Sequence, residues 1–253
     1  MKTTALVPAY NEERYIYDVL VTLTRCSLVD EIICVNDGST DDTLTQIRKV
    51  KNIEIINLKK NHGKGYAIAK GIEKSLGDII LFIDADLQFL NEKHIYQLIE
   101  PLRSHQYDAS LGYPTFNKSR LAKKIDIVLR SITGERAYFK KDLVPLLNQI
   151  KKKGYGLELY LNYFFKHKNT VVFPLKGLKH YQKYEKQSID TVAKLQVIEG
   201  FDILFELINQ KTQTIPLSIK EYFSRLYFNE SPQIQTKINS VLKKIKNMLI
   251  NSI

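Results

Sequence analysis

Four short apolar runs, each stopped by polar or turn-forming residues, alternate along the first third of this chain with segments of helical period. The first run, Thr3 to Val7, is halted at Pro8. After it, Asn11 is placed to cap a helix in which Ile16, Leu20 and Leu23 share one face, with Glu12 and Glu13 in the first turn. The second run, Glu31 to Val35, closes in the turn residues Asn36, Asp37, Gly38 and Ser39. A helix over residues 41–50 and a third strand from Ile53 to Leu58 follow. Gly63–Lys64–Gly65 opens another helix through Ala67, Ile68, Ile72 and Leu76, and the fourth run, Ile79 to Ile83, ends in Asp84.

Strands that read as unbroken apolar runs, joined through helices by short loops, predict an α/β fold whose mostly parallel sheet is covered by helices on both faces. Ligands bind such sheets beyond the carboxyl ends of the strands. The polar clusters stand at those ends: Tyr10–Asn11–Glu12, then Asp37, then Asp84 and Asp86. The later chain is less regular. A helix from Lys93 to Arg103, a strand from Asp108 to Leu111 and a polar, basic, partly helical connection over 113–135 are expected. An aromatic helix from Tyr160 to Phe165 reads mainly as core, and Thr170 to Pro174 reads as a strand. Helical period returns from Asp190 to Gln210 and along a stripe of Ile234, Ile238, Val241, Ile245, Met248 and Leu249.

Charge separates the two parts. Residues 1–112 hold 13 Lys and Arg against 16 Asp and Glu, a net of −3, whereas residues 113–253 hold 25 against 11, a net of +14. A basic excess confined to one part suggests an anionic partner there: a phosphorylated acceptor, a membrane surface or nucleic acid. No zinc-finger, helix-turn-helix or RNA-binding signature supports the last. No apolar run reaches the ~18 residues of a membrane span, and the opening residues are too short and polar for a signal peptide, so a cytoplasmic location is expected. A basic amphipathic helix over 234–253 could lie on the inner face of a membrane or dock on its own domain. Cys26 and Cys34 show no metal spacing and read as reduced thiols near the core.

The strongest chemical signal is Asp84–Ala85–Asp86 directly after an apolar strand. Two carboxylates so spaced can hold a hard divalent cation, which can neutralise the phosphates of a departing nucleotide. Joined to Val7–Pro8–Ala9–Tyr10–Asn11–Glu12–Glu13, Val35–Asn36–Asp37–Gly38–Ser39–Thr40–Asp41, Asn61–His62–Gly63–Lys64–Gly65 and the continuation Leu87–Gln88, it resembles glycosyltransferase family 2. Within that family it is most similar to enzymes acting on polyprenyl and dolichyl phosphates, firmly over residues 3–112 and loosely to about residue 200. The resemblance implies a GT-A fold, a UDP- or GDP-linked sugar donor, and Mg²⁺ or Mn²⁺. It implies that Pro8, Ala9, Tyr10, Glu12, Asp37, Lys64, Asp84 and Ala85 bind the nucleotide sugar. Asp84, Asp86, Gln88 and His180 become metal candidates, and Asp86 a catalytic one.

Ser131 to Tyr138 resembles the family's acceptor-side segment, so Arg136 is expected to reach a phosphate, with Gly134 beside it and Arg120 and Arg130 as further acceptor candidates. Glu158 falls where the family tends to carry a carboxylate, with an arginine-pairing or a catalytic role open to it. A sugar-hydroxyl acceptor needs a general base, and the Glu–Asp pair that many inverting members carry is missing. A phosphate acceptor needs none, so an inverting transfer to a polyprenyl phosphate or another anionic lipid is favoured. Transfer to a glycan hydroxyl and an inactive nucleotide-sugar-binding module stay open. Pro8–Ala9–Tyr10 stands where a nucleotidyltransferase would carry a glycine-rich, arginine-bearing loop. The expected layout is a donor-binding half over 1–112, an acceptor-side half of the same domain over 113–215, and a basic helical tail over 216–253.

Overall fold

A computed structural model of the chain describes residues 1–114, 133–154 and 156–180, all within one compact unit, Met1–Tyr181. Arg120, Arg130, the helix expected over 190–210 and the tail over 216–253 lie outside the described residues.

The expected alternation is present. Strands β1 (Thr3–Ala9), β2 (Glu31–Asn36), β3 (Glu54–Asn57) and β4 (Ile79–Phe82) run parallel, separated by helices α1 (Ile16–Arg25), α2 (Thr43–Arg48) and α3 (Lys64–Lys74). After a short β5 (Leu87–Gln88) come α4 (Glu92–Arg103) and β6 (Ala109–Pro114). Then follow β7 (Glu135–Phe139), the short helices α5 (Lys140–Leu143) and α6 (Leu147–Ile150), α7 (Leu157–Phe164), β8 (Thr170–Leu175) and β9 (Lys179–His180). The seven-stranded sheet has the order β3-β2-β1-β4-β7-β6-β8, and β5 and β9 form a separate ribbon. This is the mostly parallel, GT-A-like arrangement that the sequence predicts.

Among the described strands of the seven-stranded sheet only β7 runs against its neighbours, pairing antiparallel with both β4 and β6. It therefore begins at the edge where β4 and β6 end. The sequence reading leaves residues 113–135 as a connection and assigns no strand between it and Thr170. The run Glu135–Arg136–Ala137–Tyr138–Phe139 carries two charged residues that are fully buried here, so hydropathy alone conceals the strand.

Alternating side chains build a core on each face of the sheet. Ala5, Val7, Cys34, Ile79 and Leu81 pack toward Ile16, Leu20 and Leu23 of α1 and Ile95, Leu98 and Ile99 of α4. Leu6, Ile33, Val35, Ile80 and Phe82 face the other way, toward Ala67, Ile68 and Ile72 of α3 and Leu157 and Leu161 of α7. Each buried aliphatic side chain contributes roughly 1.5–3 kcal/mol. Gly71 lets α3 settle on β1, since a Cβ there would overlap the Leu6 side chain. Cys26 and Cys34 are free and buried, and burial pushes the Cys34 thiol far above its ordinary value.

Candidate functional site

The loops beyond the carboxyl ends of β1, β2 and β3 are laced together by hydrogen bonds, and the loop after β4 joins them through Asp84, which pairs with Lys64. Asn11 is not a helix cap: α1 starts at Ile16, and Asn11 instead adopts a left-handed backbone, φ 56°. From there its side-chain oxygen accepts from the Thr40 N–H at 2.9 Å, and its own N–H donates to Ser39 Oγ at 3.0 Å. The Glu12 N–H donates to Thr43 Oγ1 at 2.7 Å. Asparagine tolerates the left-handed region better than most residues, which makes this bridge possible. Ala9 is buried, Pro8 and Glu12 are half-buried, and Tyr10 projects outward, 44 % exposed.

Asp37 is buried at the end of β2. Its two carboxylate oxygens accept the N–H groups of His62 at 2.8 Å and Gly63 at 2.7 Å. Burial raises its pKa, and those two hydrogen bonds with the nearby imidazole oppose the rise. The carboxylate expected to bind the nucleotide sugar thus holds the loop that leads into α3. Gly38 beside it has φ 71°, and a Cβ there would overlap the backbone of Lys60 and Asn61. Gly65, in the first turn of α3, lies flush against the carbonyls of Ile150 and Lys153 and gives its N–H to the latter at 3.1 Å.

α3 also delivers Lys64 to the centre of the site. Its ammonium lies 2.8 Å from Asp84 Oδ1 and 2.7 Å from Glu158 Oε1, with about a quarter of the side chain, 24 %, still exposed. Burial alone would lower the lysine pKa, but the two carboxylates outweigh it, and the value stands well above that of a free lysine. Lys64 is therefore a fixed cation. Glu158 is buried in the first turn of α7, and the arginine pairing open to it is replaced by pairing with Lys64. Gly134 belongs to the site for a different reason than acceptor contact. A Cβ there would collide with the Asp84 carboxylate, so only glycine leaves that carboxylate room.

Arg136 is also placed otherwise than expected. It is fully buried, and its guanidinium is engaged by its own chain. Nε donates to the Thr133 carbonyl at 2.5 Å, and Nη1 to Tyr138 Oη at 3.1 Å, the Glu158 carbonyl at 3.3 Å and Asn162 Oδ1 at 2.6 Å. A phosphate reaching this group would have to displace those partners. As it stands, Arg136 pins β7 to the first two turns of α7 and so fixes where Glu158 meets Lys64.

Asp86 is half-buried one residue beyond Ala85, followed at once by β5. β5 pairs antiparallel with β9, setting Leu87 opposite His180 and Gln88 opposite Lys179, so the backbone at His180 runs alongside the Asp86–Gln88 segment. Phe89, next in line, holds φ 62°, a strained value for a bulky residue, at the end of this ribbon. Among the described residues no three His, Cys, Asp or Glu side chains converge on a metal position. Asp86 and the Gln88 amide offer oxygen donors of the kind a hard divalent cation takes, and Asp84 offers another where it is not held by Lys64. Two carboxylates on one lysine, with Asp86 two residues along the chain from the first, leave a surplus of negative charge that suits such a cation.

A hollow of about 680 Å³ bordered by Met1, Asp78, Tyr107, Phe139 and Lys140 lies at the opposite, amino ends of the strands, away from these groups. Among the described residues no helix is long and apolar enough to cross a membrane.

Residues 4–142 match the model of the family described as glycosyl transferase family 2. An uncharacterized glycosyltransferase of Synechocystis is 32 % identical over 146 residues, covering 54 % of this chain and 43 % of that protein. The dodecaprenyl-phosphate galacturonate synthase of Rhizobium johnstonii is 30 % identical over 169 residues, covering 63 % of this chain and 47 % of its own length. The match thus spans less than half the length of either relative. Among solved structures, the glucosyl-3-phosphoglycerate synthase of Mycobacterium tuberculosis superposes with a TM-score of 0.66 over 83 % of this chain and 79 % of its own, at 22 % identity, a likeness of fold.

Proposed function

The chain belongs to glycosyl transferase family 2, and from that premise we propose that it moves a sugar from a UDP- or GDP-linked donor to a phosphate-bearing acceptor. The observation that carries this reading is the Lys64 ammonium clamped between Asp84 and Glu158, next to Asp86, at the carboxyl edge of the sheet. Such an edge receives the donor, with Tyr10 as the exposed ring of the nucleoside pocket and Pro8, Ala9, Glu12 and Asp37 shaping its walls. Lys64 keeps its charge throughout and stands ready for a phosphate oxygen.

Asp86, with Asp84, Gln88 and His180 as further candidates, would hold Mg²⁺ or Mn²⁺. When bound, that cation would offset the charge of the leaving diphosphate. The mycobacterial structure was solved with Mn²⁺, UDP and glucosyl-3-phosphoglycerate, which agrees with this assignment. Gly134 keeps the Asp84 carboxylate unobstructed, and Arg136 holds α7 so that Glu158 steadies Lys64.

A phosphate acceptor is favoured over a sugar hydroxyl by the state of Glu158. Its carboxylate is already taken up by the Lys64 ammonium at 2.7 Å, and a phosphate, being ionised, needs no base. The Rhizobium relative is named for a prenyl phosphate, and the mycobacterial neighbour was crystallised with a phosphorylated product. The basic residues of 113–253, the expected tail included, would serve such an acceptor at a membrane. Direct displacement would invert the anomeric centre, and a product of retained configuration would overturn that step.

Titrating UDP and GDP into the wild-type protein and Asp86→Ala, with and without Mn²⁺, tests the reading. Cation-dependent binding of one nucleotide, lost in Asp86→Ala, is the expected result. Folded wild-type protein that takes up neither nucleotide would replace the transferase reading with an inactive module.

A further inference from the structure

α7 buries Leu157 and Leu161 in the core, yet its polar and aromatic side chains are placed unusually. A helix on a domain surface normally buries an apolar stripe and turns polar residues to water. In α7 the two polar side chains, Glu158 and Asn162, are four residues apart, and both turn inward, to Lys64 and to Arg136. What faces solvent is aromatic: Tyr163 is 40 % exposed and Phe164 42 %. Exposed Lys166, His167 and Lys168 follow directly, with the Lys166 ammonium 4.2 Å from the Tyr163 ring centroid and Lys168 beside Asp142 at 3.2 Å. A third exposed apolar residue, Val172 (45 %), stands on the edge strand β8. Its register partner, Leu111, packs in the core on the α7 side of the sheet.

We propose that this face of α7 lies on an anionic lipid surface. Two exposed rings flanked by lysines match the headgroup boundary, where aromatic side chains insert and ammonium groups meet phosphates. Among the described residues Lys168 pairs with Asp142 and Asp108 accepts the Asn169 N–H, whereas Lys166 pairs with no carboxylate, and its charge favours an anionic surface over a neutral one. Glu158 and Tyr163 lie on one helix, about 1.5 Å of rise per residue apart, so the rings stand roughly 8 Å along its axis from the site. The link to catalysis rests on the phosphate-acceptor reading: a protein seated here would hold its site within reach of a lipid-borne phosphate. The surface itself does not depend on that reading.

The full chain is sedimented with vesicles of phosphatidylcholine alone and of phosphatidylcholine mixed with phosphatidylglycerol. The wild type, Tyr163→Ser/Phe164→Ser, Lys166→Glu and the control Tyr96→Ser are compared. Tyr96 is equally exposed but on α4, across the sheet. The wild type and the control are expected to bind the anionic vesicles, and the double variant to bind roughly tenfold more weakly, as two rings fail to leave water. Lys166→Glu should weaken anionic binding further than neutral binding. Wild-type protein that ignores both vesicles, or a double variant that binds like wild type, would overturn the proposal. So would a double variant that changes only the oligomeric state, which would make the face a contact between copies. Thermal melting confirms that the variants fold. Nucleotide titration on the same samples separates the two ideas: vesicle binding that depends on the rings in a protein that takes no nucleotide keeps the surface and removes the transferase reading.

Discussion

The loops after β1, β2 and β3 and the segment running from Thr133 through α7 build one site by opposite means. In the first region, polar side chains project from the ends of buried strands and tie loop to loop, Asn11 to Thr40, Glu12 to Thr43, Asp37 to His62 and Gly63. In the second, charge is drawn inside. Arg136 is buried against the Thr133 carbonyl, Tyr138, the Glu158 carbonyl and Asn162, while aromatic rings are left facing water. Ties at a rim are local and partly wet, so each can be altered nearly alone. A desolvated network behaves as a unit, because one missing member strands several polar groups at once.

Arg136→Met tests that contrast hardest. It takes one donor away from two carbonyls, a hydroxyl and an amide oxygen at once, and should cost about 3–5 kcal/mol in urea unfolding. A cost below about 1 kcal/mol would erase the distinction between the regions. Lys64→Met comes next, because the lysine joins both regions through Asp84 and Glu158. A fall in kcat/KM of roughly a hundredfold is expected, and an undiminished rate would show the clamp to be structural only. Within the rim, Asp37→Asn turns one acceptor into a donor facing an N–H and should cost about 1–2 kcal/mol by the same denaturant measurement. Tyr10→Ser should leave stability within about 0.5 kcal/mol while weakening nucleotide binding in a titration. Equal binding would move the nucleoside elsewhere on the rim.

The same contrast explains what could be read from the chain beforehand. β1, β2 and β4 announce themselves because each is apolar on both faces; β2 and β4 stop short of Asp37 and Asp84, whereas β1 runs on through Pro8, where a stop is expected, to Ala9. α1, α3 and α4 show their buried stripes plainly. The placement of polar groups beyond the strand ends follows from the sheet type alone. Individual roles were harder to read. Asn11 sits where a cap would, but its left-handed backbone and its hold on Thr40 depend on the neighbouring loop. β7 stayed hidden because burial there is secured by hydrogen bonding of Glu135 and Arg136 rather than by apolar character. Glu158 and Asn162 could have been recognised as one helix face from their spacing of four, but only the partners across the fold reveal that it is the inner face. The short helices over 140–150 left no periodic signal long enough to recognise.

The single reversed strand has a consequence for how such a protein can be varied. Because β6 ends and β7 begins at the same edge of the sheet, Gly112 opposite Glu135, the stretch between them is attached at two adjacent points beside Asp84. The Asp84 carboxylate that Gly134 makes room for is therefore tied to the register of β7: a change that slid this strand by one residue would bring a Cβ against Asp84 and unseat Lys64 with it.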